Sequence, residues 1–192
     1  MIVTDLFIKR AHGSPMLPVR ALHFDSTGIA NGICCSPLRQ VLITSRAVTQ
    51  EFGLMPGDLR ENIVVDFDGL YDLPSGTVVR IGEALIRLTF HCEPCAKILH
   101  LAPHDRLLHK RGYLGCFLNR GMIAVGDACA LTEQTLEPIP YAVKDRIRWF
   151  FARQQASLAA LDLAYALGLP SSYASAIPRL VEKFAFTRRF PK

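Results

Sequence analysis

The stretch Thr77-Val78-Val79-Arg80-Ile81-Gly82-Glu83-Ala84-Leu85-Ile86-Arg87-Leu88-Thr89-Phe90 decides the fold class. Two β-rich runs, 77–81 and 84–90, flank Gly82-Glu83, and a glycine at the first corner position is what a type II′ hairpin turn prefers. Working outward, residues 4–9, 19–24, 40–44 and 62–66 read as further strands, separated by breaks such as Gly13-Ser14-Pro15. Ser45 reads as the N-cap of a short helix closed by Gly53. Residues 112–118 and 122–125 read as a second hairpin about Asn119-Arg120-Gly121, and 95–108 as a helix. No strand–helix–strand alternation runs through this region, which argues against a parallel nucleotide-binding sheet. The expectation is a mainly β chain, closed into a barrel-like fold with short helices.

The texture changes after Pro138 and Pro140. Ile147, Phe150 and Phe151 recur at helical spacing, then Leu158, Leu161 and Tyr165, then Tyr173, Ile177, Leu180 and Val181. Gly168 is placed to end the second helix, and Pro170 with Ser171 to begin the third. The chain of 192 residues therefore divides into a β domain, 1–138, and a small three-helix appendage, 139–192, which must lean on the barrel or on a partner. The charge follows this division. Residues 1–140 carry 13 Lys/Arg against 14 Asp/Glu, whereas 141–192 carry 9 against 3. A basic helical tail has a helix-turn-helix flavour, with 171–184 as recognition helix and nucleic acid as partner. Its cations Arg179 and Lys183 fall late in that helix, whereas base-reading residues sit near the N-terminal end. A structural appendage is the favoured reading.

Half the residues are apolar and a fifth are charged, which excludes intrinsic disorder. Residues 154–178 hold a single charge, Asp162, but Gly168 and Pro170 cut the apolar run short of the ~20 residues a membrane span needs. The opening residues lack a basic region followed by a long apolar core, so no signal peptide is expected. The six cysteines, 34, 35, 92, 95, 116 and 129, are accordingly expected as reduced thiols in a cytoplasmic protein.

Cys92-Glu93-Pro94-Cys95, preceded by His91 and followed by Lys97, is the densest reactive cluster. Pro94 pushes Glu93 into an extended conformation, so that Cys95 can open a helix whose free N–H groups stabilise a thiolate. His91 and Lys97 add positive charge, and a thiolate both attacks sulfur and binds soft metals. The bland alternative is two cysteines packed as small hydrophobes. Zinc held by the pair with His91, His100 or His104 is a further reading, weakened by the lack of a second paired motif. A thioredoxin-like role lacks its βαβ context. Arg60-Glu61-Asn62, after the corner Pro56-Gly57-Asp58, offers a guanidinium fork and an amide at a strand end, either as an anion-binding pair or as turn chemistry beside a solvated arginine. Arg39 carries the same two readings. No Gly-rich phosphate loop, His-Glu-x-x-His or Gly-x-Ser-x-Gly occurs.

The order of segments from 28 to 127 resembles the MOSC family, named for the C-terminal domain of molybdenum-cofactor sulfurases. The matching pieces are Gly28-Ile29, Arg39-Gln40-Val41-Leu42-Ile43, Gly57-Asp58 through Arg60-Glu61-Asn62-Ile63-Val64-Val65, and Leu73-Pro74-Ser75-Gly76-Thr77 with Arg80-Ile81-Gly82-Glu83-Ala84-Leu85. Glu93-Pro94-Cys95 follows, then Gly112 and Gly121-Met122-Ile123-Ala124-Val125-Gly126-Asp127. The resemblance implies a closed, mostly β barrel-like fold. It also implies that Cys95 carries persulfide sulfur or ligates molybdenum, with Arg60, Asn62 and Arg39 as cofactor-binding residues and a molybdenum–pterin cofactor as the bound group. A pyridoxal-phosphate-dependent cysteine desulfurase would donate the sulfur and a molybdoenzyme would accept it. The enzymatic readings are a sulfurtransferase or a molybdenum-dependent reductase of N-hydroxylated compounds. A DNA-binding module, with the barrel as sensor, is the alternative. This chain departs from the family at Gly28-Ile29-Ala30-Asn31-Gly32-Ile33, where many members place an acidic and a basic side chain, and in the extra Cys92, which is a resolving thiol or a space-filler.

Overall fold

The computed structural model describes residues 1–154 and 158–185. Its strands are, in chain order, β1 (Val3–Ile8), β2 (Leu17–Val19), β3 (Ala21–Asp25), β4 (Gly28–Ile29), β5 (Val41–Ser45), β6 (Ile63–Val65), β7 (Thr77–Ile81), β8 (Ala84–His91), β9 (Tyr113–Phe117), β10 (Gly121–Ala124) and β11 (Cys129–Thr135). The helices are α1 (Arg46–Glu51), α2 (His104–Leu107), α3 (Val143–Phe151), α4 (Ala160–Ala166) and α5 (Ile177–Phe184), with single 3₁₀ turns at Asp68–Asp72 and Ser171–Tyr173.

The β7–β8 hairpin forms as the sequence predicts. Ile81 pairs with Ala84 across a two-residue turn, and Gly82 takes φ +55°. From it the large sheet extends in the order β11-β7-β8-β9-β5-β6-β1-β2, with β10-β3-β4 as a second, smaller sheet. Every pairing is antiparallel except β5 with β6, which α1 and its following loop connect. Ser45 caps α1 by accepting a hydrogen bond from the Ala47 N–H, and Gly53 closes the segment at φ +64°. Ile43, Ile63, Val65, Val79, Ile81, Ile86 and Leu88 are buried to 1% exposure or less and fill the main core. Phe24 of β3 stacks on Phe117 of β9, with ring centroids 4.4 Å apart, and ties the small sheet to the large one.

The expected closed barrel is not formed. The sheet is strongly curled into a half-barrel whose edges, β11 and β2, stay unpaired with each other. One bridge, Ile2 with Ala128, joins the entrance of β1 to that of β11. Pro18 sits within β2, where it cannot donate to a neighbour, and so suits an edge strand. The second expected hairpin is also absent: β9 pairs with β5 and β8, whereas β10 pairs with β3. The Asn119 side chain accepts from the Leu85 N–H and donates to the Glu83 carbonyl, and the Glu83 carboxylate accepts from the Met122 N–H. The Gly82-Glu83 tip thus holds the 119–122 corner and turns the chain into the other sheet.

The three tail helices form, with differences. α4 ends at Ala166, and Gly168 follows in the left-handed region at φ +68°. Leu163, Ala164 and Leu167 are buried, however, while Leu161 and Tyr165 of the expected face are 55% and 46% exposed. The expected continuous helix over 171–184 is broken: only α5 from Ile177 is α-helical, with Pro178 in its first turn. Ile147, Phe150, Leu163, Leu167 and Ile177 make a small core of their own. Arg146 reaches from it to the sheet, its guanidinium 4.0 Å from the Phe90 ring centroid. The tail's last cations, Arg188, Arg189 and Lys192, lie outside the described residues. Among the described residues no helix is long and apolar enough to cross a membrane.

Candidate functional site

The segment leaving β8 carries the cysteines. Cys92 continues the pairing, its N–H bonded to the Gly112 carbonyl, and its side chain is only 2% exposed. Its sulfur lies 4.0 Å from Nη2 of Arg39. Pro94 is buried, and the chain then surfaces at Cys95, which is half-buried beside Val48, Leu59 and Ile98. Cys95 does not open a helix. Its carbonyl accepts from the Ile98 N–H and the Ile98 carbonyl from the Leu101 N–H, two successive turns, and helix is confined to α2. Burial of Ile98 and Leu107 against Val48 and Leu59 holds this irregular path, so stacked helix N–H groups do not underlie Cys95.

Positive charge reaches the region by another route. Arg60 stands at a tight corner in the left-handed region, φ +66°, with its N–H bonded to the Gly57 carbonyl. Glu61, fully buried, secures the corner by accepting from the Gly57 N–H at 2.7 Å, and burial pushes its carboxyl above the usual range. Nη2 of Arg60 is buried without a hydrogen-bond partner. Lys9, just past β1, is held below its ordinary value by burial and then by the charges of Arg60 and Lys97, with Cys35 acting in the opposite sense. The charges of Arg60 and Lys97 both reach Lys9, and the exposed Cys35 thiol also lies within range of it.

The other sequence candidates separate. Asn62 is committed to backbone: its Oδ1 accepts from the Leu42 N–H at 3.0 Å and its amide donates to the Phe7 carbonyl at 3.2 Å, bridging β5 and β1. Arg39 points to Cys92 and to the Gly168 carbonyl. His91 packs with Tyr113 and His109, ring centroids 4.4 and 5.3 Å away, and burial lowers its proton affinity. Among the described residues no three His, Cys, Asp or Glu side chains gather to hold a metal ion, so the zinc reading finds no ligand set. A cavity of about 200 Å³ lies against β1 and β2, lined by Leu6, Pro18 and Val125 among others, and Cys95 does not line it.

Sequence reasoning passed over Lys9, Cys35, Arg111 and Arg146. Arg146 left a signal: it falls between Val143 and Phe150 on the apolar stripe of α3, where a charge needs a reason. Its guanidinium donates to the Leu167 carbonyl at 2.9 Å and the Tyr141 carbonyl at 3.2 Å, and burial lowers its pKa to about 10.

Against known proteins, the MOSC domain model matches residues 33–130, half of the chain, and the chain belongs to the MOSC domain family. That family is associated with molybdenum-cofactor-related functions. Among solved structures the chain resembles the YuaD protein from Bacillus subtilis, at 16% identity and TM-score 0.60, covering 70% of this chain and 96% of that one. It also resembles YiiM from Escherichia coli, at 20% identity and TM-score 0.54 over the whole of both chains. YiiM from Geobacillus stearothermophilus is similar at 16% identity and TM-score 0.54, covering 94% of this chain and 98% of that one. At these identities the likeness establishes the fold. No curated protein matches the chain.

Proposed function

We propose that the chain is a sulfur carrier or molybdenum-cofactor-handling protein in which Cys95 holds a persulfide sulfur or ligates molybdenum. The observation that carries this reading is the half-buried Cys95 thiol, packed beside Val48, Leu59 and Ile98 just after the buried Pro94, with Lys97 two residues on in the chain. Cations in this region favour an anionic ligand, and a thiol that is not enclosed can take up and pass on sulfur. In the carrier step the Cys95 thiolate attacks the outer sulfur of a donor persulfide. The donor S–S bond breaks, the donor departs as a thiolate, and Cys95 keeps the transferred sulfur. A pyridoxal-phosphate-dependent cysteine desulfurase is the donor this chemistry calls for, and a molybdoenzyme the acceptor.

The residues fit a molybdenum–pterin cofactor in charge. The buried, unpartnered Nη2 of Arg60 and the ammonium groups of Lys9 and Lys97 suit its phosphate, and a thiolate suits its metal. Such a cofactor supplies two-electron chemistry at molybdenum when bound, which a reductase of N-hydroxylated compounds requires. Asn62 enters this reading as a residue that ties the segment after the Arg60 corner to β5 and β1, since its amide is engaged with backbone.

Purified chain should release cyanide-labile sulfur or carry molybdenum and pterin. Either signal should vanish in Cys95→Ala and persist in Cys116→Ala; equal retention in both variants would end the reading.

A further inference from the structure

The residues just before Cys95 are held one after another by groups from other parts of the chain. Phe90 carries the Arg146 guanidinium over its ring, 4.0 Å from the centroid. Nδ1 of His91 lies 2.9 Å from the His109 carbonyl oxygen. The Cys92 N–H is bonded to the Gly112 carbonyl. Glu93 is held twice: its carbonyl accepts from Nη1 of Arg111 at 2.6 Å, and its carboxylate accepts from the Tyr141 hydroxyl. Pro94 and Cys95 follow directly. Beyond Cys95 the path rests on two backbone turns and on apolar packing, so the grip on Glu93 is the last polar side-chain hold before the thiol.

Glu93 is exposed, and its carboxylate needs no partner for its own sake. The tail is what needs it. Arg146 is 3% exposed, bonds to the Leu167 and Tyr141 carbonyls, and forms no ion pair within 4.0 Å among the described residues. Glu93 is the acid whose charge compensates it. Nη2 of Arg146 holds the Tyr141 carbonyl while the Tyr141 hydroxyl holds Glu93, so Tyr141 joins α3 to the cysteine segment. Its ring is itself fixed. It packs on the cluster of Phe90, Cys92 and Ile139 and against His109, with ring centroids 4.9 Å apart. Burial, and after it the Glu93 carboxylate, push the phenol up to about 12, which keeps the hydroxyl a donor over the neutral range.

We propose that Tyr141 is a positioning residue for Cys95: through the Glu93 carboxylate it holds the cysteine-bearing turn against Val48, Leu59 and Ile98, and so couples the docking of the helical tail to the reactivity of the thiol. The proposal deepens the reading of Cys95 as a sulfur carrier and rests on that reading only for the nature of the group transferred. It gives the tail a role, since the hydroxyl that steadies the turn comes from the segment leading into α3.

Alkylation of the full chain with iodoacetamide, followed residue by residue with peptide mass spectrometry, tests this without a sulfur donor. Tyr141→Phe removes the hydroxyl and keeps the ring. A half-buried thiol reacts through local opening of its surroundings. Cys95 should therefore react about tenfold faster, the change expected for losing one hydrogen bond to a charged group. Cys35 and Cys116 should keep their rates. Glu93→Ala should raise the Cys95 rate by the same factor, and adding Tyr141→Phe to it should change nothing further, because both substitutions break one contact. Glu93→Gln keeps an acceptor for the hydroxyl and should leave the rate near that of the unaltered chain. An unchanged Cys95 rate in Tyr141→Phe, a parallel rise at Cys116 that marks general loosening, or additive effects in the double variant overturns the proposal. Sulfur uptake judges the carrier reading separately, so failure of one is distinguishable from failure of the other.

Discussion

Replacing Gly168 with alanine should destabilise the chain well beyond the usual cost of a left-handed residue. Gly168 has φ +68°, where a Cβ costs about 1–2 kcal/mol. The added methyl would also stand 2.9 Å from Cζ of Phe90, inside ordinary contact distance, with Cβ of Leu38 touching it at 3.4 Å. Phe90 cannot swing away freely, because the Arg146 guanidinium covers its ring. Overpacking of this kind costs about 1–3 kcal/mol. The alanine recovers about 0.4–1 kcal/mol by restricting the unfolded chain. The net expectation is a loss of about 2–4 kcal/mol. Gly13 provides the control: its φ is +83°, yet nothing lies within 4 Å of an added Cβ, so Gly13→Ala should show the backbone cost alone. Urea unfolding followed by circular dichroism measures both. Gly168→Ala should lower the midpoint by about 1 M or more at unchanged slope, and clearly further than Gly13→Ala. Equal midpoints for the two variants would refute the docking of α4's end onto Phe90.

Glu61→Gln should change how stability depends on pH. The folded chain raises the Glu61 carboxyl, so its neutral form is the favoured one. Stability from this group is complete below the ordinary carboxyl range and declines as pH climbs through the raised value. The glutamine keeps the acceptor for the Gly57 N–H and should remove that decline, read as urea midpoints converging at acid pH and diverging toward neutral. Asn62→Ala strands the Leu42 N–H and the Phe7 carbonyl and should cost about 1–3 kcal/mol in the same assay; an unchanged midpoint would dismiss its bridging role. Alkylation at neutral pH, followed by peptide mass spectrometry, should modify Cys35 and Cys95 well before Cys92, Cys116 and Cys129. Cys92 and Cys129 are buried, and burial pushes the thiols of Cys116 and Cys129 up. Faster reaction at Cys116 would contradict the burial pattern.

Local signals carried the parts of the fold that local chemistry determines. Gly82 alone specifies the tight turn of β7 and β8, and Ser45 with Gly53 specifies both ends of α1. The misread hairpin shows the limit: Asn119-Arg120-Gly121 has turn composition, but its partners are Glu83 and Leu85, over thirty residues away in the chain. The same holds at α4, where Leu161 and Tyr165 suggest one face and packing against α5 and Phe150 buries Leu163, Ala164 and Leu167. Strand β11 escaped notice because an edge strand with exposed Leu131 shows no clean alternation. Of the candidate site residues, Cys95, Lys97 and Arg60 come from local sequence and family resemblance. Lys9, Cys35 and Arg146 do not, because nothing in their neighbours along the chain indicates what folding brings beside them.

Native mass spectrometry of the chain after incubation with a cysteine desulfurase and cysteine tests the role of Cys95 most directly. The expected result is a gain of one sulfur atom, reversed by a thiol reductant, retained in Cys116→Ala and lost in Cys95→Ala. An unchanged mass in the unaltered chain without bound pterin, or the same gain in Cys95→Ala, would contradict it.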